Sequence, residues 1–395
     1  MSIARTVACR LLRVANMASI CLVAGDPSGD AHAARLIDVL KTRDPSLTFS
    51  GLGGPAMRQT GVSLLDDLTT TAAIGPFDAA RHLARFRRAK RLLEEHLKHH
   101  RPDLVILVDF GDYNLPVIAP LVKRYQIPIA YYISPQVWAW GRWRLRYIRR
   151  YVDRMVVFFK FEEEFYRREG IPVTWVGHPL IGLAHPSLSR EEAMQRFGLN
   201  PWRRTVGLLP GSREREIERH LPLMLSAASR IAWHMPGVQF LLPMASGLSR
   251  ETLQRQLSRV DIEVRLSEGL VYDALQLMEA AIVASGTATL DAALSEVPMI
   301  VVYRTSWPTY LAARAVLRIP HIAMVNVIAG RQVVPELVQH HAQPKRIAPT
   351  VVDLMRDDGR RGMMKTTLRE IASALGPPGA IERAAAVVLE TLEQK

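Results

Sequence analysis

The chain has 395 residues, long enough for two to three domains that each bury a core. At 48% hydrophobic and 23% charged residues it is not a disordered polymer, and no apolar run approaches the roughly 20 residues of a membrane span. Lysine and arginine number 51 against 38 acids, a net charge of +13, which favours anionic partners: nucleic acid, phosphorylated small molecules or an anionic membrane face.

Residues 1–16 carry Arg5, Arg10 and Arg13 and no acid, but neither a long apolar core nor a small-residue cleavage site. They read as an extension ahead of Met17. The two cysteines, Cys9 and Cys21, cannot build a disulfide scaffold, so a reducing compartment is expected.

From there, short β-branched runs alternate with amphipathic ones. Ser19–Ala24 reads as a strand, with a helix over 30–41 after it. Further strands are expected at 47–50, 104–108, 129–133, 155–159 and 173–176. After a turn-rich loop at 178–187 the pattern restarts, with strands at 205–209, 238–242, 262–266, 280–284 and 299–303 and a last helix at 381–394. Near-continuous apolar strands between helices indicate parallel sheets covered on both faces. The fold class is α/β, with two Rossmann-like parallel-sheet domains facing across a cleft. Their expected limits are 17–185 and 186–350, with C-terminal helices over 351–395 that pack back on the first domain.

The motifs fall where strands turn into helices. Ala24-Gly-Asp-Pro-Ser-Gly-Asp30 follows the first strand, and either a helix cap or a polar ligand explains it. Its spacing is not the dinucleotide G-x-G-x-x-G, and Gly51-Leu-Gly-Gly-Pro55 is only a weak match. Val108-Asp-Phe-Gly-Asp-Tyr-Asn114 puts Asp109 and Asp112 at a strand's carboxyl end, where a carboxylate can act as general base. Asp109 suits that role, and Asp112 suits a helix cap.

Tyr131-Tyr-Ile-Ser-Pro-Gln-Val-Trp-Ala-Trp140 leads into an arginine-rich helix in which Leu145, Ile148 and Val152 share a face. Arg142, Arg146 and Arg149 lie to one side. A second basic run, 81–91, is followed by Leu93 and Leu97 and preceded by Ala72-Ala-Ile-Gly-Pro-Phe77. Both runs fit either a solvated face or anionic lipid. No RRM, KH or zinc-finger pattern supports nucleic-acid binding.

Leu208-Leu-Pro-Gly-Ser-Arg213 ends a strand and opens a helix, and Arg213 can neutralise a departing phosphate. Ser285-Gly-Thr-Ala-Thr-Leu-Asp291 repeats that arrangement. Ser285, Gly286, Thr287 and Thr289 offer hydroxyls and N–H groups to a diphosphate, and Asp291 can accept from ribose. His178 is a further cleft candidate. The twelve histidines show no metal-ligand spacing, so no metal is expected, and there is no G-x-S-x-G elbow for acyl hydrolysis.

Taken in order, these motifs, with Gly51-Leu-Gly-Gly-Pro-Ala-Met57, Val176-Gly-His-Pro-Leu180 and Asn326-Val-Ile-Ala-Gly330, resemble the lipid-A-disaccharide synthase family of GT-B glycosyltransferases from about Ile20 onward. The resemblance implies transfer of 2,3-diacylglucosamine from UDP-2,3-diacylglucosamine to 2,3-diacylglucosamine 1-phosphate, giving a β-1,6-linked disaccharide and UDP without a cofactor. It implies functional roles for Asp109 and Arg213, and a UDP site that includes Asn326. Asp26, Ser28, Asp112, Trp138 and His178 are acceptor-side or cleft candidates. It also implies a cytoplasmic protein held peripherally at the inner membrane of a Gram-negative bacterium, meeting an anionic membrane surface. The oligomeric state stays open, a homodimer being one outcome. Another GT-B activity on UDP-N-acetylglucosamine, a 2-epimerase or a peptidoglycan-type transferase, is the alternative. The chain departs from the family at Asp26 and Asp291, where glutamate is usual. It departs again at Phe159-Lys-Phe-Glu162, where Leu-Pro-Phe-Glu is usual, at Val325, where proline is usual, and at Pro76 and Asp78, which interrupt the apolar stretch after Ile74.

Overall fold

Strand order in both sheets follows from where the apolar runs can be covered on two faces. A computed structural model describes residues 17–69, 79–245, 248–317 and 319–394, with backbone alone for 79–82. The expected N-terminal extension and the stretch around Ile74, Pro76 and Asp78 lie outside the described residues. The chain divides into two units: one runs to Gly177 and takes back Gly379–Lys395, the other is His178–Pro378.

The first unit has seven parallel strands: β1 (Ser19–Ala24), β2 (Thr48–Gly53), β3 (Ser63–Asp67), β4 (Leu104–Val108), β5 (Ile129–Tyr132), β6 (Arg154–Val157) and β7 (Val173–Trp175). Their order is β3-β2-β1-β4-β5-β6-β7, so the winding reverses between β1 and β4. Loops after those two strands diverge and leave room for a ligand. Successive side chains of β1 serve opposite cores. Cys21 and Val23 join Leu93 and Leu97 of α3 (Ala79–His100). Ile20, Leu22 and Ala24 join Leu36, Ile37 and Leu40 of α1 (Pro27–Arg43). A short α2 (Pro55–Gln59) follows β2, and α4 (Leu145–Tyr151) and α5 (Lys160–Arg168) flank β6. Leu145, Ile148 and Val152 are buried, as their spacing predicts.

The second unit has β8 (Thr205–Leu209), β9 (Gln239–Met244), β10 (Val264–Glu268), β11 (Ala280–Ala284), β12 (Met299–Tyr303) and β13 (Glu336–Val338), all parallel, in the order β10-β9-β8-β11-β12-β13. Its reversal lies between β8 and β11. The helices used below are α6 (Glu214–His234), α7 (Ala288–Leu294), α8 (Trp307–Val316), α9 (Pro344–Arg356) and α10 (Asp358–Ala374). The last helix, α11 (Ala380–Glu393), returns to the first unit, where Ala384, Ala385, Val387 and Val388 join the core of α1.

Three features differ from the sequence reading. Strands β3 and β13 were not expected, because each is a short edge strand whose residues are half-buried and partly acidic. The crossing between units falls at 177–178, not near 185, and the loop after it is anchored in the second unit: His178 N–H donates to Leu375 O at 2.9 Å, and Ser187 binds Asp273 through its N–H and hydroxyl. Of the helices beyond 350, α9 and α10 stay with the second unit, and α11 alone packs on the first.

Candidate active site

At the reversal point of the first sheet, four motifs lock into one another. Asp26 caps α1, its carboxylate accepting from Gly29 N–H at 2.6 Å. Asp30 is almost fully buried. It accepts N–H bonds from Gly54, Ala56 and Met57 at 2.7–3.1 Å, so it ties the first motif to the glycine-rich loop before α2. A Cβ on Gly25 would collide with the Phe110 ring. Ser28 is exposed at the first turn of α1.

The turn after β4 is strained. Asp109 and Phe110 are both left-handed, with φ of 42° and 49°. The surrounding side chains hold it. The Asn114 amide donates to Asp109 O at 2.9 Å, and the Tyr131 hydroxyl donates to the same carbonyl at 2.5 Å. Gly111 allows Pro135 to approach, since a Cβ there would lie 2.7 Å from it. Burial pushes the Asp109 carboxyl up to about 6, and the negative charges of Asp26 and Asp112 add to this while the Phe110 N–H opposes it. No cation pairs with it among the described residues. The result is a carboxylate that is ionised near neutral pH yet more basic than usual.

Asp112 is not the helix cap expected. It binds the Arg144 guanidinium, whose Nε lies 3.1 Å from Asp112 Oδ1. Arg144 is buried and stacked 3.9 Å from the Trp140 ring centroid and 5.0 Å from that of Trp143. The sequence reading passed over Arg144 because it lies off the basic face, although its two tryptophan neighbours were a usable signal. Trp138 is half-buried, its indole N–H donating to Glu162 at 3.1 Å. Burial lifts the Glu162 carboxyl to about 7. Glu162 also accepts from Phe159 N–H, so the replaced motif Phe-Lys-Phe-Glu keeps its glutamate for this structural bond.

In the second unit a pocket of about 410 Å³ opens at the reversal point. Gly211, Ser212, Arg213 and Glu216 line it after β8, Met244 at the end of β9, Gly269 after β10, and Ser285, Gly286, Thr287 and Asp291 after β11. The Arg213 side chain is exposed, with Glu216 3.4 Å away. Glu216 also accepts from the N–H groups of Ser212 and Arg213 at 3.0 and 3.3 Å. The buried His220 accepts from Arg304 N–H through Nε2 and lies 3.2 Å from Pro210 O through Nδ1, which fastens this loop to the end of β12. Sequence reasoning missed His220.

Not every hydroxyl of the second motif is available. Thr289 is buried and donates to Gly286 O at 2.8 Å, so it does not line the pocket. Ser285 donates to Ile322 O at 2.9 Å, while Gly286 and Thr287 are exposed. Asp291 accepts from the Tyr272 hydroxyl at 2.7 Å, and burial raises its carboxyl. Asn326 is fully buried and does not line the pocket. Its amide donates to Val334 O and Glu336, and its oxygen accepts from Val333 and Val334 N–H, all at 2.7–2.9 Å. Glu336 in turn accepts from Ile322 N–H, which is how Asn326 reaches Ser285. His178 is buried, its Nδ1 accepting from Leu180 N–H, and it is not among the pocket residues.

The basic runs are partly neutralised. Arg142 and Arg149 both bind Glu169, and Arg88 lies 3.6 Å from Asp66. Arg87, Arg91, Arg146 and Arg150 make no ion pair among the described residues and are exposed. Phe86 packs on its core, but Leu83 is half exposed. No group of three or more metal-ligating side chains occurs among the described residues, nor a helix long and apolar enough to cross a membrane.

A family model described as lipid-A-disaccharide synthetase matches residues 20–388. A lipid-A-disaccharide synthase of Syntrophus aciditrophicus is 42% identical over 380 residues, covering 96% of this chain and 99% of the relative. One from Geobacter sulfurreducens is 41% identical over 373 residues, covering 94% and 97%. Among solved structures, the UDP-GlcNAc 2-epimerase of Neisseria meningitidis bound to UDP-GlcNAc superposes with a TM-score of 0.58 at 14% identity, covering 95% of this chain and 100% of that one. The calicheamicin glycosyltransferase CalG4 does so at 0.58 and 16%, covering 95% and 98%. These two likenesses establish the GT-B fold and nothing finer.

Proposed function

The chain belongs to the lipid-A-disaccharide synthetase family, a glycosyltransferase of lipid A disaccharide synthesis, and on that premise we propose how its own residues carry the transfer. The donor is UDP-2,3-diacylglucosamine and the acceptor 2,3-diacylglucosamine 1-phosphate. The Asp109 carboxylate takes the proton of the acceptor 6-hydroxyl as that oxygen attacks the anomeric carbon. The C1–O bond to UDP breaks on the opposite face, so configuration inverts, and the proton passes from Asp109 to solvent. Arg213 and the N–H groups of Gly286 and Thr287 meet the charge that develops on the diphosphate. Asp291 faces the ribose, and Asn326 acts at one remove, through Ile322 and Ser285.

One observation carries this reading. Asp109 is the carboxylate at a sheet's reversal point, held in a strained turn, with its pKa moved to about 6. A general base works best when its pKa lies near the operating pH. Asp109→Asn should cut turnover by about 10²- to 10⁴-fold while UDP affinity, read by calorimetry, stays unchanged. Turnover close to that of the parent would remove Asp109 from the role.

The 2-epimerase alternative is not favoured, since the relatives that share two-fifths of the sequence are disaccharide synthases. We place the enzyme at the cytoplasmic face of the inner membrane. Arg87, Arg91, Arg146 and Arg150, exposed and without an ion pair among the described residues, support a contact with anionic lipid, because headgroups attract each exposed cation by about 1 kcal/mol.

A further inference from the structure

The helix that follows β12 is unusual for its surface. None of the residues of α8 (Trp307–Val316) is buried, and Trp307, Leu311 and Val316 are 56%, 60% and 51% exposed. Trp307 and Leu311 are four positions apart and share a face, while Val316 points elsewhere, so the helix offers apolar surface on more than one side. Trp307 and Leu311 together give one exposed face of large apolar side chains, and such a face marks an interaction site.

The charge along the chain on either side of α8 narrows the choice of occupant. Between Glu296 and Glu336 the chain contains no acid, but it does contain Arg304, Arg314, Arg318 and Arg331. Arg304, Arg314 and Arg331 are exposed and make no ion pair among the described residues. A second copy of this chain would bring like charges together across a twofold axis and be repelled. A bilayer with anionic headgroups would accept both the arginines and the tryptophan, whose ring suits the boundary between headgroups and acyl chains.

The position of α8 fits the same occupant. It leaves the carboxyl end of β12, which lies beside β11, and the turn after β11 lines the pocket. Its approach is bound to α6, whose first turn also lines the pocket: Arg219 lies 3.3 Å from Thr305 Oγ1, and Arg304 N–H donates to His220. The helix therefore starts at the carboxyl end of the sheet, where the pocket opens.

We propose that α8 is an interfacial helix that seats the second unit on an anionic membrane surface, resting on the reading that the substrates are membrane lipids. It is distinct from the basic runs of the first unit. The test uses the full chain and two sets of vesicles, phosphatidylcholine alone and phosphatidylcholine mixed with phosphatidylglycerol. Partitioning is measured by co-sedimentation for the parent, for Trp307→Ser/Leu311→Ser and for Arg314→Glu. All three positions are exposed, so the fold should be kept, and circular dichroism checks it.

The double variant should lose about tenfold or more of its partitioning onto anionic vesicles. Arg314→Glu should lose about tenfold on anionic vesicles and little on neutral ones. Unchanged partitioning of the double variant would overturn the proposal. So would a parent dimer, seen by sedimentation without vesicles, that the double variant converts to monomer, because the face would then belong to a second copy. Turnover of a short-chain, water-soluble donor is followed in parallel and should be the same in parent and variants. An inactive parent would count against the lipid-substrate reading, whereas the vesicle result bears on α8 alone.

Discussion

Asp109, the proposed general base, is costly to the fold. Its backbone is left-handed, and its carboxyl is raised from 3.8 to about 6, chiefly by burial. Below pH 3.8 the carboxyl is protonated in both folded and unfolded chains, and no ionisation penalty exists. Between pH 3.8 and about 6 the unfolded chain ionises this carboxyl while the folded chain resists, and above about 6 both are ionised and the penalty is complete. Stability therefore falls across that window, by up to about 3 kcal/mol. Asp109→Asn removes the penalty, so the variant should melt higher than the parent at pH 7–8, and the difference should vanish below about pH 4. Activity runs the opposite way. kcat/KM should rise about tenfold per pH unit below about 6 and level off above it, and this limb should be missing from the residual activity of the variant. A parent profile flat between pH 5 and 7 would mean that another group limits the rate.

At the scale of strands and turns, much of the site was legible and its use of side chains was not. The long buried strands β1, β4, β8 and β11 have apolar runs that fit only the middle of a parallel sheet. The candidate site motifs then follow at their carboxyl ends by topology. What the sequence could not separate was a polar residue that meets a ligand from one that meets its own backbone. Asn326, Thr289 and Asp30 have the residue types of a binding site, and each is buried with its polar atoms engaged inside the protein. Asp112 looked like a cap only because its partner, Arg144, lies 32 positions away. The interlocking of motifs makes a prediction at this scale. Gly25 is distant in sequence from Asp109, but an added methyl would displace Phe110, the next residue after Asp109. Gly25→Ala should cost about 1–3 kcal/mol of stability and lower kcat about 100-fold, with UDP affinity intact if UDP binds, as proposed, in the pocket of the other unit. If kcat falls only in proportion to the unfolded fraction, the turn does not position Asp109 through Phe110.

For the molecule as a whole, the informative feature is that the chain crosses between its units twice, at 177–178 and again at 378–379. The first crossing hides in a loop of ordinary turn residues, so composition placed it several positions late. The second coincides with Gly376-Pro-Pro-Gly379, a visible breaker, and of the helices over 351–395 expected to return to the first unit only the one after this breaker does so. In the structure, α11 covers Leu36, Ile37, Leu40 and Tyr132, and Arg383 donates from Nε to Val176 O at 2.8 Å. The buried face of α11 is thus part of the first unit's core, although 201 residues of the other unit separate the helix from it in sequence. Deleting 379–395 would uncover one side of that core. Two buried valines and two buried alanines correspond to about 5 kcal/mol, comparable with the whole stability of a typical domain. The second unit, which contains none of those contacts, should stay folded. Calorimetry of the shortened chain should therefore show one transition that UDP shifts upward and no second cooperative transition, with disaccharide synthesis abolished. Loss of the UDP-sensitive transition as well would mean that the two units fold as one.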